Sequence, residues 1–212
     1  MGFVAKDSGG GNFQPVPPGA YVARCYQVID LGTQTTTFQG DTKVAHKLRL
    51  SWEIFGEDDA GLPLTVSFGG KTMPMTIAKS YTVSLHEKAS LCKDLSAWRG
   101  REFTPEEKKA FDVSKLLGAY ALINVTNGPA ANGKIYANVA GLSPLPKALA
   151  ANKPAGIHEL VRFDLDNPDM AVFEELPPFI QEQIRSAPEW DRAANRQLET
   201  ADAGGSDDDI PF

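Results

Sequence analysis

Three sets of residues in this 212-residue chain have the types and spacing to do chemistry. The first is the C-terminus, Asp207-Asp208-Asp209-Ile210-Pro211-Phe212, where three carboxylates precede a short apolar group. The chain ends on Phe212, so one terminal residue offers both a ring and an α-carboxylate. A partner with an apolar pocket rimmed by Arg or Lys can bury the ring and pair the carboxylate together. Pro211 limits the entropy lost on docking. The aspartates add a salt-sensitive attraction to a basic rim. Gly204-Gly205-Ser206, just upstream, is the flexible tether such a peptide needs. These six residues are expected to bind a partner protein. A tail kept for solubility explains the aspartates but not the Ile-Pro-Phe ending.

The second set pairs cations with aromatics. Sequence-tolerant binding of single strands uses ring faces for bases and cations for phosphates. Arg24 and Tyr26 share a face of one strand pattern, Lys47 and Arg49 share the polar face of another, and Lys79 alternates with Tyr81 on a third. Lys134 and Tyr136 share a face in the last hairpin. Arg99 and Arg101 close a helix beside Trp98, and Lys43 lies with Phe38 in a loop. These eleven, Trp98 and Phe38 aside, are the candidate DNA-binding residues. Each has a packing alternative: Trp52 and Trp98 continue apolar stripes and read as core, and a strand tyrosine often buries its ring.

The third set, Asp164, Asp166 and Asp169, lacks the turn glycine and terminal glutamate of a calcium loop. Asn167-Pro168 reads as a turn there. No phosphate loop, nucleophile elbow or His-Glu-x-x-His motif is present. Cys25 and Cys92 stand apart in apolar segments and read as buried thiols. His46, His86 and His158 are scattered. No enzymatic activity, cofactor or metal is therefore expected, and a metal-dependent nuclease on the aspartates is a distant alternative.

The net charge of −6 looks wrong for a DNA binder, but its distribution does not. Residues 1–155 carry 17 Lys/Arg and 13 Asp/Glu, a net of +4; residues 156–212 carry 4 and 14, a net of −10. A mildly basic body with an acidic tail suits nucleic-acid binding in which stacking supplements charge. The 42% hydrophobic content supports a sizeable core. No run reaches the roughly 18 apolar residues of a membrane span, and Met1 to Gly11 has no secretory pattern. A cytoplasmic protein with no membrane contact is expected.

The elements that must position these residues follow from periodicity. Residues 1–19, rich in Gly and Pro, read as a flexible arm. Strand patterns cover Tyr21–Ile29, Val44–Phe55, Leu64–Phe68, Met75–Leu85, Ala119–Thr126 and Lys134–Leu142, with Gly40-Asp41 and Asn132-Gly133 as turns. In the second, Leu48, Leu50, Trp52 and Ile54 alternate with Lys47, Arg49, Ser51 and Glu53. A helix is predicted over His86–Trp98, capped by Ser84 and stopped by Gly100, and another starts at Thr104-Pro105-Glu106-Glu107. The fold expected is mainly β: a five-stranded OB-fold barrel over residues 20–147 with a helix inserted after the third strand. Residues 148–198 read as a linker and acidic extension with helices at Pro177–Ala187 and near Trp190. Residues 199–212 read as a disordered acidic tail.

The tip Asp207–Phe212 resembles the acidic C-terminal tip of bacterial single-stranded DNA-binding proteins. The stretches Gly19–Arg24, Ser80–Thr82, Leu85–Ala89, Leu95–Gly100 and Phe163–Pro168 resemble a phage- and prophage-encoded family of OB-fold DNA-binding replication proteins. The resemblance implies a protein that binds and protects single-stranded DNA in an infected bacterial cell during phage replication or recombination. It also implies that the tip recruits host or phage replication and recombination proteins. Duplex binding and homo-oligomerisation stay open. The alternative is an adaptor or inhibitor with little DNA affinity that displays the tip to capture host replication proteins.

Overall fold

The strand that opens near Ala20 runs much further than its apolar residues suggest. In the computed structural model, which describes residues 14–38, 40–68, 70–129 and 133–191, β1 spans Gly19–Phe38. It pairs antiparallel with β2, Asp41–Phe55, from Val22↔Phe55 to Phe38↔Asp41. The Thr33–Thr37 tract, polar and outside the expected strand, is β because threonine is β-branched and suits a ribbon facing solvent. Gly40, at φ +88°, makes the tight return. Register shifts at Cys25/Gln27 and Asp30/Gly32 bend β1 and re-aim its side chains.

β3 (Thr65–Phe68) and β4 (Lys71–Pro74) form a separate hairpin. β5 (Thr76–Thr82) pairs with β2, β6 (Tyr120–Pro129) with β1, and β7 (Ile135–Ser143) with β6. The resulting antiparallel order is β5-β2-β1-β6-β7. A sixth strand, β8 (Val161–Phe163), adds parallel to β1 at Gln27–Ile29. The protein is mainly β, and among the described residues no ladder joins β5 to β7, so the sheet is not closed. Lys79 spans the gap, its Nζ donating to the Val139 carbonyl at 3.3 Å.

The helix α1 (Ser90–Arg99) follows β5 and buries Leu91, Leu95 and Trp98. It begins four residues later than predicted. Ser84 Oγ takes the His86 amide (3.2 Å) in a local turn, leaving Ala89 at the N-cap without a side-chain bond. Gly100 ends α1 in the left-handed conformation, as its position predicts. Thr104 and Glu107 form a capping box on α2 (Pro105–Lys109). The main core joins Leu50, Trp52, Ile54, Ile77, Tyr81, Ile123 and the α1 stripe. Val16, within the segment read as a flexible arm, is 2% exposed and belongs to this core, because a lone apolar residue between prolines docks where it can be buried.

A second core covers the other part of β1. Ile29 and Leu31 pack with Phe163, Leu165, Phe173, Leu176, Ile180 and Ile184. The last four come from α4 (Met170–Glu175), α5 (Pro178–Arg185) and the turn between them; α3 (Lys147–Ala151) precedes β8. The segment after residue 147 is thus built onto β1 through a strand and a shared core. Gly32 marks the tightest approach: at φ +68°, it would place a Cβ 2.5 Å from that of Ala187. No helix among the described residues is long and apolar enough to cross a membrane.

Candidate nucleic-acid interface

The outer faces of β2 and β5 form the floor of a groove of about 720 Å³, within the range of ligand-binding clefts. Tyr26, at the first β1 bulge, stands beside Gln27, Arg49 and Ser51; Thr76 and Ala78 continue the floor on β5. Tyr136 and Ala137 of β7 line the groove, as do Pro177, Phe179 and Ile180 from the C-terminal segment. Arg49 lies over the Phe179 ring, its guanidinium carbon 5.6 Å from the centroid. Burial pulls the Arg49 guanidinium down from its ordinary value and pushes the Tyr26 phenol up; hydrogen bonds from Thr76 and Ser51 oppose the latter. Arginine keeps its charge regardless, so the groove holds a part-buried cation among aromatic side chains. Such a set can pair a phosphate and stack a base.

Of the residues picked out from the sequence, Tyr26, Arg49 and Tyr136 meet in this groove. Lys47 is two residues from Arg49 on the same strand face and donates to Thr82 Oγ1 at 2.7 Å. Lys43 is exposed near the tip of the β1–β2 ribbon, and Lys134 is exposed just before β7. The others are turned to structural work. Lys79 and Tyr81 do share a face, but it is the inner one: Tyr81 is 1% exposed, and both donate to Asp94 Oδ2, at 2.7 and 2.8 Å. Period two assigns residues to a common face without saying which face is buried. Arg99 pairs with Glu107 (2.5 Å) and stacks over Phe103 at 4.2 Å; Arg101 pairs with the same carboxylate at 2.6 Å. Hydrogen bonds from Arg101, Arg99 and the Thr104 amide hold Glu107 well below the usual carboxylate range.

Arg24 is also committed. It pairs with Glu53, which is fully buried although it sits on the polar face of β2, and donates to the His158 carbonyl. Glu53 further accepts from the amides of Ile157 (3.1 Å) and His158 (2.9 Å) and contacts His158 Nδ1 at 3.0 Å. Burial by itself raises the Glu53 carboxyl, but the His158 and Ile157 hydrogen bonds with the Arg24 charge bring it below its ordinary value. Tyr26 packs on the His158 ring, centroids 4.5 Å apart. A Cβ at Gly156 would overlap the Arg24 guanidinium and push it from its place beside Glu53. This latch fastens the C-terminal segment over β1 and β2, and the groove residue Tyr26 packs against it through His158.

A smaller cavity of about 230 Å³ lies near His46, Asp30, Asp112, Arg162 and Asp164. Its polar groups are engaged locally: His46 contacts Asp30 at 2.6 Å, Arg162 pairs with Asp164 at 2.6 Å, and Asp112 accepts from the Ser114 amide at 2.9 Å. Asp164 Oδ1 accepts from the Asp166 amide and Asp169 caps α4, both at 2.9 Å. Among the described residues, no group of three or more His, Cys, Asp or Glu is placed to hold a metal. Cys25 and Cys92 are buried, and burial pushes the Cys25 thiol up to about 12.

Phe179 and Glu53 were missed by sequence reasoning. Phe179 falls off the Ile180–Ile184 stripe of α5, and that mismatch was a readable signal. Nothing local marks Glu53, whose partners are Arg24, 29 residues before it, and Ile157 and His158, 104 and 105 residues after it. The residues expected from the sequence to bind a partner, Asp207, Asp208, Asp209, Ile210, Pro211 and Phe212, lie outside the described residues. Comparison of the chain with protein-family models and with curated proteins finds no match.

Proposed function

We propose that this protein binds single-stranded DNA without catalysing a reaction, holding it in the groove lined by Tyr26, Arg49, Tyr136 and Phe179, and recruits other proteins through Asp207–Phe212. The observation that carries the reading is the convergence of those four side chains from β1, β2, β7 and α5 around one cleft. The sheet order β5-β2-β1-β6-β7, with α1 after the third of these strands in sequence, supports assignment to the OB type, a partly open barrel that binds oligonucleotides on its second- and third-strand face. On that assignment the face is β2 and β5, where the groove lies. The β1–β2 ribbon and the β6–β7 loop, carrying Lys43 and Lys134, would then flank the bound strand. The resemblance of the tip and body to phage and bacterial DNA-binding proteins supports a role in phage DNA replication or recombination.

The adaptor reading draws on a different observation: Arg24, Lys79, Arg99 and Arg101 are all paired internally, so fewer cations face the groove than the sequence suggested. Fluorescence anisotropy with labelled oligo(dT) separates the two. Saturable binding that weakens with salt supports the DNA-binding function. No binding at micromolar protein supports the adaptor.

A further inference from the structure

We propose that Phe179 is the base-stacking residue that makes the groove selective for unpaired strands. This inference rests on the groove being the DNA site. Phe179 is not among the residues that pack its helix into the second core. Ile180 and Ile184 of α5, four residues apart, supply the stripe facing the second core. That core takes its aromatics from elsewhere: Phe163 and Phe173 are 2% and 1% exposed, and Trp190 stacks on Phe173 at 4.5 Å. Phe179, one residue before Ile180, is turned about 100° around the helix from it. It is 52% exposed and lines the groove beneath Arg49.

A ring in that position can stack on a ligand that has a flat face to offer. In a duplex each base face is covered by its neighbours, and exposing one requires unstacking or flipping the base. An unpaired strand presents faces without that cost, and every base has one, so the contact is tolerant of sequence. The adjacent Arg49 can hold the phosphate of a base stacked on Phe179, giving charge and stacking within one nucleotide's reach. The selective wall is therefore contributed by the C-terminal segment, which β8 and the Glu53 latch hold against the sheet.

The test uses the full chain with wild type, Phe179→Ala and Phe179→Trp, titrated against labelled oligo(dT) and a labelled hairpin duplex at several salt concentrations. Loss of one stacked base corresponds to roughly 5- to 150-fold in affinity. Phe179→Ala is expected to weaken oligo(dT) binding by a factor in that range, with the salt slope, duplex binding and melting temperature unchanged. Phe179→Trp, which keeps an aromatic face, is expected to bind like wild type. Affinity of Phe179→Ala within twofold of wild type overturns the inference, as does an equal loss for duplex and single strand, or a loss in Phe179→Trp as large as in alanine. Those results leave the DNA-binding function standing. Failure of wild type itself to bind oligo(dT) overturns the function, and the inference with it.

Discussion

Replacing Glu53 with alanine should cost more than any surface change of the same size, and the structure says why. The carboxylate is fully buried and accepts from Arg24, from two backbone amides and from the His158 ring. Removing it leaves the Arg24 guanidinium, itself only 13% exposed, without its counter-charge. Breaking a buried pair from one side typically costs about 3–5 kcal/mol. The Ile157 and His158 amides also lose their acceptor, at about 1–3 kcal/mol for each group that stays buried. These losses overlap, because the freed segment can move into water, so about 3–5 kcal/mol is the expected total. Urea unfolding should record it, and native-state hydrogen exchange should localise it, with the amides of residues 156–163 losing protection first. Arg24→Met combined with Glu53→Met should recover part of the loss but not all, since the two amides still lack an acceptor. The sign of the pH effect is fixed by the lowered Glu53 pKa. Its stabilising contribution is fully present above the ordinary carboxylate value of 4.5 and is lost as pH falls through the depressed folded value. Glu53→Gln should flatten that acid limb. A loss below about 1 kcal/mol for Glu53→Ala, or an unchanged acid limb in Glu53→Gln, would refute the latch.

Three further outcomes are expected. Gly32→Ala combines a left-handed backbone with a Cβ 2.5 Å from Ala187 and 2.7 Å from Leu165, so it should destabilise the protein by more than the ~1 kcal/mol of backbone strain alone, read as a shift in the urea midpoint. Both cysteines should resist a thiol reagent in the native state and react only on unfolding, because each is buried and the Cys25 thiol is pushed up to about 12; rapid native labelling would contradict the packing. Deleting Asp207–Phe212 should abolish pull-down of partner proteins while oligo(dT) affinity is kept or tightened, since three carboxylates that repel phosphates are gone; a much weaker DNA affinity would contradict this.

Local rules carried the sequence reading furthest where the fold is decided locally. The alternation of β2 placed Leu48, Leu50, Trp52 and Ile54 in the core, and Thr104, Glu107 and Gly100 marked helix ends by capping chemistry alone. Local pattern is silent where distant segments decide. Ser51 and Glu53 lie on the polar face of β2, yet are 3% and 0% exposed: Glu53 is covered by residues 156–158, while Ser51 bonds across to Gln27 at 2.9 Å. Lys79 and Tyr81 were paired correctly but turn inward, toward Asp94 on α1. Arg24 looked like a phosphate ligand because its counter-charge was hidden in that same buried carboxylate. Tyr26, Arg49 and Tyr136 were legible as candidates, whereas their convergence depends on a bulge in β1 and on the sheet order. The polar half of β1 escaped because a strand exposed on both sides has no apolar alternation to read.

The most direct measurement of the central claim is the salt dependence of oligo(dT) binding by wild type and Arg49→Ala. If the groove holds the DNA, Arg49→Ala weakens binding and reduces the slope of log K against log salt by about 0.7, as one phosphate contact to a single strand is lost. If wild type binds and Arg49→Ala keeps both its affinity and its slope, the DNA lies elsewhere and the groove is not its site.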